Sequence, residues 1–517
     1  MSKFYITTPL YYVNSKPHIG HSYTQVACDT IARFRKQSGD DVFFMTGTDE
    51  HGEKIEKASL ESGLAQGEEK AFVDTIVPHF KELWKKLNIE FDYFIRTTDR
   101  MHEETVKKVL SALYERGKIY KKVYQGWFCT PCETFWSLTQ VADGICPDCT
   151  RILEKLDEEN YFLRISEYQS ALIEHIKKNP LFIRPEIRRN EVLSFLEKNE
   201  LQDLCISRSK TRLSWGIEMP FDKNFVTYVW VDALINYISG IGYANDRERF
   251  DSLWGASRHV IGKDILRHHA IYWAILLLAL GEKPPREIFA HGWWVVGGEK
   301  MSKSKGNVID PMEMIDRYGV EPFRYYLLSA VQFGYDGTFS EKLFVEKYNA
   351  DLANDLGNLV NRTLTMVEKY FGGVVPAVAS SAGDDPLKSD VRSMPRRMYD
   401  AFEGWNFSAS LATIWSSINR ANKYIEDKAP WKLAKDSNKE ALGEVIYNLL
   451  QALGIVAVSL YPFMPETARS IWEQLGIKSD IKEFRFSDLR QEDVWGLVSS
   501  GIAIKKSAPL FPRIEVS

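Results

Sequence analysis

The sequence predicts an α/β protein. A parallel sheet opens at the N-terminus, is interrupted by an insertion, resumes, and gives way to a helical bundle. Three observations carry this reading. The first fifty residues run strand, helix, strand; residues 120–215 change texture around paired cysteines; and past Gly306 the apolar periodicity is almost wholly helical. Strand, helix, strand at that spacing begins a parallel sheet, whose ligands bind at the carboxyl ends of its strands.

Residues 4–13 form the apolar run of a buried strand, 20–39 the amphipathic helix after it, and 41–49 a second strand ending in a polar loop. His18 and Asp49 therefore fall at strand carboxyl ends. Helical patterns fill 67–117. Short strands and a charged helical stretch at 166–200 mark 120–215 as an insertion, after which 225–231, 258–262 and 287–292 read as further strands, with a helix over 264–280. Asp310-Pro311 is a helix start, a capping carboxylate followed by proline at the first helical position. Helices are expected near 345–371, 388–401, 406–428, 437–461 and 463–475, with a Gly- and Pro-rich loop over 372–386. The resulting division is 1–119 and 216–295 for the two halves of the sheet domain, 120–215 for the insertion, 296–344 for a connecting region, and 345–517 for the bundle.

With 517 residues, 44% apolar and 26% charged, the chain has ordinary globular composition and room for several domains. A net charge of −4 provides no global field for nucleic acid, so an RNA partner would need a local patch. The N-terminus lacks a signal-peptide core, and the apolar stretch 274–280 is far short of a membrane span. Four of the six cysteines cluster, which points to metal binding in a reducing compartment, and the expected location is the cytoplasm.

Cys129-Thr130-Pro131-Cys132 and Cys146-Pro147-Asp148-Cys149 are two C-x2-C knuckles, a spacing that suits four thiolates around one structural Zn2+. A redox pair or four structural thiols are the alternatives. Elsewhere, Pro17-His18-Ile19-Gly20-His21 sets two imidazoles at a helix start beside a glycine that lets a ligand approach the backbone. Lys300-Met301-Ser302-Lys303-Ser304 places two lysines in a Gly- and Lys-rich loop, a clamp for a polyphosphate. Together they suggest ATP binding with stabilisation of charge on its phosphates.

These two signatures, in this order and at domain-scale separation, resemble those of the class I aminoacyl-tRNA synthetases. Tyr228-Val229-Trp230-Val231-Asp232-Ala233, Gly262-Lys263-Asp264-Ile265, His291-Gly292-Trp293 and Ala429-Pro430-Trp431-Lys432-Leu433-Ala434-Lys435 resemble the methionyl family in its bacterial form, over essentially the whole chain. The resemblance implies a Rossmann-like catalytic domain, a zinc-knuckle connective insertion and an anticodon-binding bundle. The activity it implies is ATP-dependent ligation of methionine to its tRNA, initiator tRNA included, through methionyl-adenylate, with Mg2+ accompanying ATP.

By the same resemblance His18, His21, Lys300 and Lys303 are catalytic, and Gly20, Asp232, Gly262, Asp264 and Ser302 join them around ATP. Leu10, Tyr12, Trp230, Ala233, Leu234, Tyr237, Ile265, His269 and Tyr272 surround the methionine side chain, with Asp49 on its ammonium group. Asn358, Arg362 and Trp431 read the anticodon, and Cys129, Cys132, Cys146 and Cys149 hold the zinc. A monomer without an obligate protein partner is expected, because the chain ends before the extra C-terminal module of many relatives. Leucyl, isoleucyl and valyl relatives carry a larger insertion. A cysteinyl enzyme would place zinc beside the first strand, and a non-catalytic tRNA-binding protein would not need both signatures.

Overall fold

A computed structural model describes the chain apart from residues 131–133, 137–140, 142, 148–149, 298, 301–308, 379–384, 490–494 and 516–517, and the side chains of 124, 125, 134, 135, 156, 299 and 300. Seven parallel strands form the main sheet: β1 (Lys3–Thr7), β2 (Tyr11–Tyr12), β3 (Asp41–Asp49), β4 (Tyr93–Arg96), β5 (Ile183–Arg184), β6 (Ser257–Gly262) and β7 (Glu287–His291). β1 lies between β3 and β6, β7 follows β6, and β5 is the edge beyond β7. β4 and β2 take opposite edges of β3, since Thr48 pairs with Arg96 on one side and Tyr11 on the other. The expected 4–13 strand is thus broken at 8–10, and β2 continues the line of β1 beside β3.

Several expectations are corrected. The 67–117 stretch is not continuously helical: β4 separates the helices Glu69–Lys86 and Arg100–Glu115. The 120–215 insertion has long strands, Ile119–Cys129 paired antiparallel with Glu154–Leu163. It also returns to the main sheet through β5, so the boundary at 215 cuts across the sheet domain. Residues 225–231 do not re-enter the main sheet. Asp222–Thr227 belongs to a small antiparallel sheet with Ser207–Ser209 and Glu218–Met219, and Val229 already starts a helix. The 264–280 helix contains a π-helical segment, His268–Trp273.

The helix α1 (Ile19–Gln37) crosses from the sheet into the bundle. Its inner face packs on β1 and β3, and its far end packs on the C-terminal helices, with the Phe34 ring stacked 3.7 Å from Phe402. Five helices, Asn358–Phe371, Pro386–Glu403, Phe407–Lys428, Lys439–Leu460 and Pro465–Gln474, match the expected bundle. Among the described residues one helix, Lys439–Leu460, is long and apolar enough to span a membrane, but 83% of its apolar window is buried within the bundle.

Asp29 on α1 is fully buried. Its Oδ2 accepts hydrogen bonds from Arg33 (2.9 Å) and Arg324 (2.7 Å), and its Oδ1 accepts the Glu90 N–H at 2.9 Å. Arg324 also donates to the carbonyls of Leu87 and Phe463, and Arg33 to the Tyr461 hydroxyl. One carboxylate therefore ties α1 to the helix Val320–Ser329 and, through its arginines, to the turn at 461–463. Burial works to raise the Asp29 pKa, but the two guanidinium charges outweigh it and hold the group below its ordinary value.

Removing one partner from a buried ion pair typically costs ~3–5 kcal/mol. Asp29→Ala is expected to lose stability on that scale, read from the denaturant midpoint at pH 7. Because the folded pKa is lowered, the Asp29 contribution is complete above the unfolded pKa of roughly 3.9 and disappears as pH falls through the folded value. The difference between the two proteins should therefore shrink in acid. A midpoint unchanged at pH 7 would show that the carboxylate does not tie these elements together.

Candidate active site

The connection leaving β1 goes one way to β3, and the later strands β6 and β7 lie on the other side. The resulting crevice sits at the carboxyl ends of the strands, where open parallel sheets bind ligands. A cavity of about 450 Å3 occupies it, lined from the ends of β2, β3, β6 and β7, the N-terminus of α1, and the helix Val229–Ser239.

His18 caps α1. Its Nδ1 accepts the Gly20 N–H at 3.1 Å, and His21 Nδ1 accepts the His18 N–H at 3.2 Å. The rings stack at 3.8 Å, and in the neutral form of each the proton sits on Nε2. A Cβ at Gly20 would lie 2.9 Å from His18 Cε1, so the glycine makes this cap possible. Proline and histidine before the helix, with glycine inside its first turn, write the capping geometry locally in sequence.

Trp230, Ala233, Leu234 and Tyr237 recur at i, i+3, i+4 and i+7 on one stripe of their helix and all line the cavity. Leu10, Tyr12, Asp49, Ile265 and His269 line it too, as do Gly262 and Asp264. His269 Nδ1 lies 2.9 Å from the Ile265 carbonyl, so it must be the protonated nitrogen. Burial pushes the His269 pKa down to about 4. The bare Nε2 then accepts from the Tyr237 hydroxyl, 2.8 Å away. The one Tyr237 hydroxyl proton is thereby committed within the wall of the cavity.

Among the described residues, two of those expected, Asp232 and Tyr272, do not line the cavity. Asp232 is fully buried with Oδ2 2.7 Å from His51 Nδ1 and Oδ1 2.7 Å from His102 Nε2, so it is set in the protein rather than facing a nucleotide. Burial works to raise its pKa, but the two histidines outweigh it and hold the carboxyl low. Tyr272 instead meets His268 edge-on at 5.4 Å.

Ser302 and Lys303 lie outside the described residues, and of Lys300 only the backbone is described. Both ends of that segment are fixed beside the cavity: Lys300 pairs with Val295, next to the lining residue Trp294, and the Ile309 carbonyl accepts the Ile19 N–H.

Sequence reasoning did not assign Lys54, Tyr23, Thr24, Asn236, His291, Trp293 or Trp294, all of which line the cavity. Thr24 sits one turn after Gly20 and contacts His291 Nε2 at 2.7 Å, while His291 Nδ1 donates to the Gly292 carbonyl. The motif His291-Gly292-Trp293 carried the signal but had been given no role. Trp293 donates its indole N–H to Asp264 at 3.2 Å. A Cβ on Gly292 would fall 2.2 Å from the Tyr335 backbone, which explains the glycine.

In the bundle, Asn358 is exposed at the start of its helix, and Arg362 pairs with Glu426 at 2.6 Å. Ala429 ends the helix Phe407–Lys428 with φ +43, a left-handed conformation, and Trp431 just beyond is 43% exposed. Cys129 ends its strand, and Cys146 sits in a turn closed by the Thr150 N–H on the Cys146 carbonyl. Both are buried in one cluster with Trp136, Val141 and Leu153. Cys132 and Cys149 lie outside the described residues.

Capped paired histidines at the switch point of a parallel sheet, with the lysine segment rooted beside them, define a class I aminoacyl-tRNA synthetase. A family model described as tRNA synthetases class I (M) matches residues 4–158 and 151–364, and one described as the anticodon binding domain of methionyl tRNA ligase matches 377–516. The methionine–tRNA ligase of Caldanaerobacter subterraneus subsp. tengcongensis is 48% identical over 99% of this chain and 79% of its own length. That of Thermotoga maritima is 43% identical over 99% and 80%. The structure of Mycobacterium tuberculosis methionyl-tRNA synthetase with methionyl-adenylate superposes with a TM-score of 0.92 at 37% identity, covering 99% of this chain and 100% of that one. The chain belongs to the methionyl-tRNA synthetase family.

His268 bears on the acid stability of this region. It stacks 3.9 Å from Trp230, and neither of its buried nitrogens has a hydrogen-bond partner among the described residues. Burial, chiefly, pushes its pKa down to about 3 from 6.5. Between those values the unfolded chain binds a proton that the folded one does not, so stability must fall as pH drops below 6.5. His268→Phe removes that proton and an unpartnered polar group typically worth ~1–3 kcal/mol. It is expected to unfold at higher denaturant than the parent at pH 5, with the gap narrowing toward pH 8. A gap that widens with pH would contradict this assignment.

Proposed function

We propose that this cavity activates methionine with ATP to give methionyl-adenylate and diphosphate, and that the bundle presents the cognate tRNA for transfer, releasing AMP. The observation that carries the proposal is one cavity that gathers the histidine signature, the apolar stripe of Trp230, Ala233, Leu234 and Tyr237, and Asp49.

A methionine carboxylate is already ionised at neutral pH, so attack on the α-phosphorus needs no general base. The attacking oxygen forms a bond to phosphorus as the bond to the diphosphate oxygen breaks. The protein's tasks are orientation and neutralisation of phosphate charge. His18 and His21 supply Nε2 donors at the α1 N-terminus, whose dipole favours negative charge. Lys300 and Lys303 take the β- and γ-phosphates, with Ser302 beside them and Mg2+ accompanying ATP. Gly262 lets the nucleotide come close, and Asp264, fixed by Trp293, is its polar partner.

At the other end Asp49 pairs with the ammonium group, while Leu10, Tyr12, Ile265 and the apolar stripe take the thioether. Aromatic edges favour sulfur by ~0.3–1.5 kcal/mol each. Tyr272 contributes from behind His268 rather than from the cavity wall. Asn358, Arg362 and Trp431 form the anticodon platform, with the left-handed Ala429 turning Trp431 outward for base stacking. The clustered C-x2-C cysteines support a reducing compartment and, with it, a cytoplasmic location.

Pyrophosphate exchange and tRNA charging test both halves together. Exchange should require methionine and fail with leucine, isoleucine, valine and cysteine. Trp431→Ala should leave exchange intact while charging falls by the ~1–3 kcal/mol of a lost base stack. Parallel loss of both activities would make Trp431 a packing residue, and no change in either would put anticodon reading elsewhere.

The thiolates Cys129, Cys132, Cys146 and Cys149 fit a structural Zn2+. A four-sulfur donor set matches that ion, and the two described members are buried in one cluster at a strand end and a tight turn. Held there, zinc would cross-link the insertion and play a structural role. Elemental analysis should give one zinc per chain, and Cys132→Ser should lose it together with thermal stability. Full retention of zinc by that variant would remove Cys132 from the site.

A further inference from the structure

We propose that Asp232 is a positioning residue for the methionine end of the cavity, locking the strand end that carries Asp49 to the helix that carries the apolar stripe. The proposal deepens the activity reading above and rests on it. Three consecutive residues at the end of β3 go three ways. Asp49 lines the cavity, Glu50 accepts from Arg96 Nε and Nη2 at 2.6 and 2.8 Å, and His51 turns its Nδ1 to Asp232 at 2.7 Å.

His51 also holds the other side of the pocket, because its carbonyl accepts the Tyr12 hydroxyl at 2.9 Å. From the far side, His102 bridges Asp232 at 2.7 Å and Ser239 at 2.8 Å, two turns apart on one helix face. Asp232 lies off the stripe of Trp230, Ala233, Leu234 and Tyr237, so its bonds set the roll of that helix without touching a ligand. Asp232, His51 and His102 are all buried, so water cannot replace a lost bond. A buried carboxylate is weak evidence for stability, whereas a carboxylate that joins three chain segments beside a specificity pocket fixes geometry. The same contacts leave the phosphate side, at His18 and His21, untouched.

The test uses methionine-dependent pyrophosphate exchange by the full chain, with methionine and ATP varied separately. Asp232→Asn keeps the shape and removes the charge. Methionine KM should rise about tenfold, the scale of one lost hydrogen bond to a charge, with ATP KM and kcat within about twofold. His102→Gln leaves the His51 bond in place and should raise methionine KM by a smaller factor. An unchanged methionine KM, or equal rises for both substrates, overturns the proposal. If Asp232→Asn fails to fold, His102→Gln decides by the same two readouts. Absence of methionine-dependent exchange in the unaltered chain would instead overturn the activity reading itself.

Discussion

The buried carboxylate of Asp29 is the point at which the two halves of this molecule become one. Its two arginine partners spend their remaining donors on carbonyls and a hydroxyl from the loop after the Glu69–Lys86 helix and from the 461–463 turn of the bundle. Around this polar knot the apolar core is continuous, running from β1 and α1 into the C-terminal helices. The helix whose first turn bears His18 and His21 thus takes its direction from both the sheet and the bundle. A burial this deep is tolerated only because nearly every donor and acceptor is matched.

Neutral imidazoles dominate the electrostatics of the cavity. Burial depresses the pKa values of His269 and His291 in the wall, and of His268 and His259, which stack on the lining rings of Trp230 and Tyr237, so these rings are singly protonated. Carbonyls fix which nitrogen bears the proton in His269 and His291. A thioether side chain suits such walls better than a charged one would. Among the described residues, the cavity's formal charges come from Asp49, Asp264 and Lys54, whose ammonium lies 5.0 Å over the Tyr12 ring.

Much of this arrangement was legible in the sequence because the signals are local. β3 ends where its continuous apolar run, Val42 to Met45, gives way to polar residues, and the cap at His18 is written within four residues. The bundle helices announce themselves by long periodic runs. The failures were short or non-local. β4 has four residues and β5 two, too few for a period to emerge between helical patterns. Val229-Trp230-Val231 has strand-like side chains, but tertiary packing makes them helical, a common override of weak propensity. The bonds of Asp232 join residues 130 and 181 positions apart, so nothing near it in sequence separates a ligand contact from an internal tie. The pocket residues themselves were found through family resemblance, since apolar side chains on a helix look the same facing a core or a ligand.

The shared helix has a consequence for how the protein is made. α1 leaves the ribosome well before the bundle, yet the partners of Phe34 and Arg33 include Phe402 and Tyr461. At roughly 5–20 residues per second, about 20–90 s separate the two ends of those contacts during synthesis. For that interval the outer face of α1, with an aromatic ring and an arginine meant for burial, has nothing to cover it. The sheet domain therefore cannot finish burying this face of α1 until the C-terminal helices emerge.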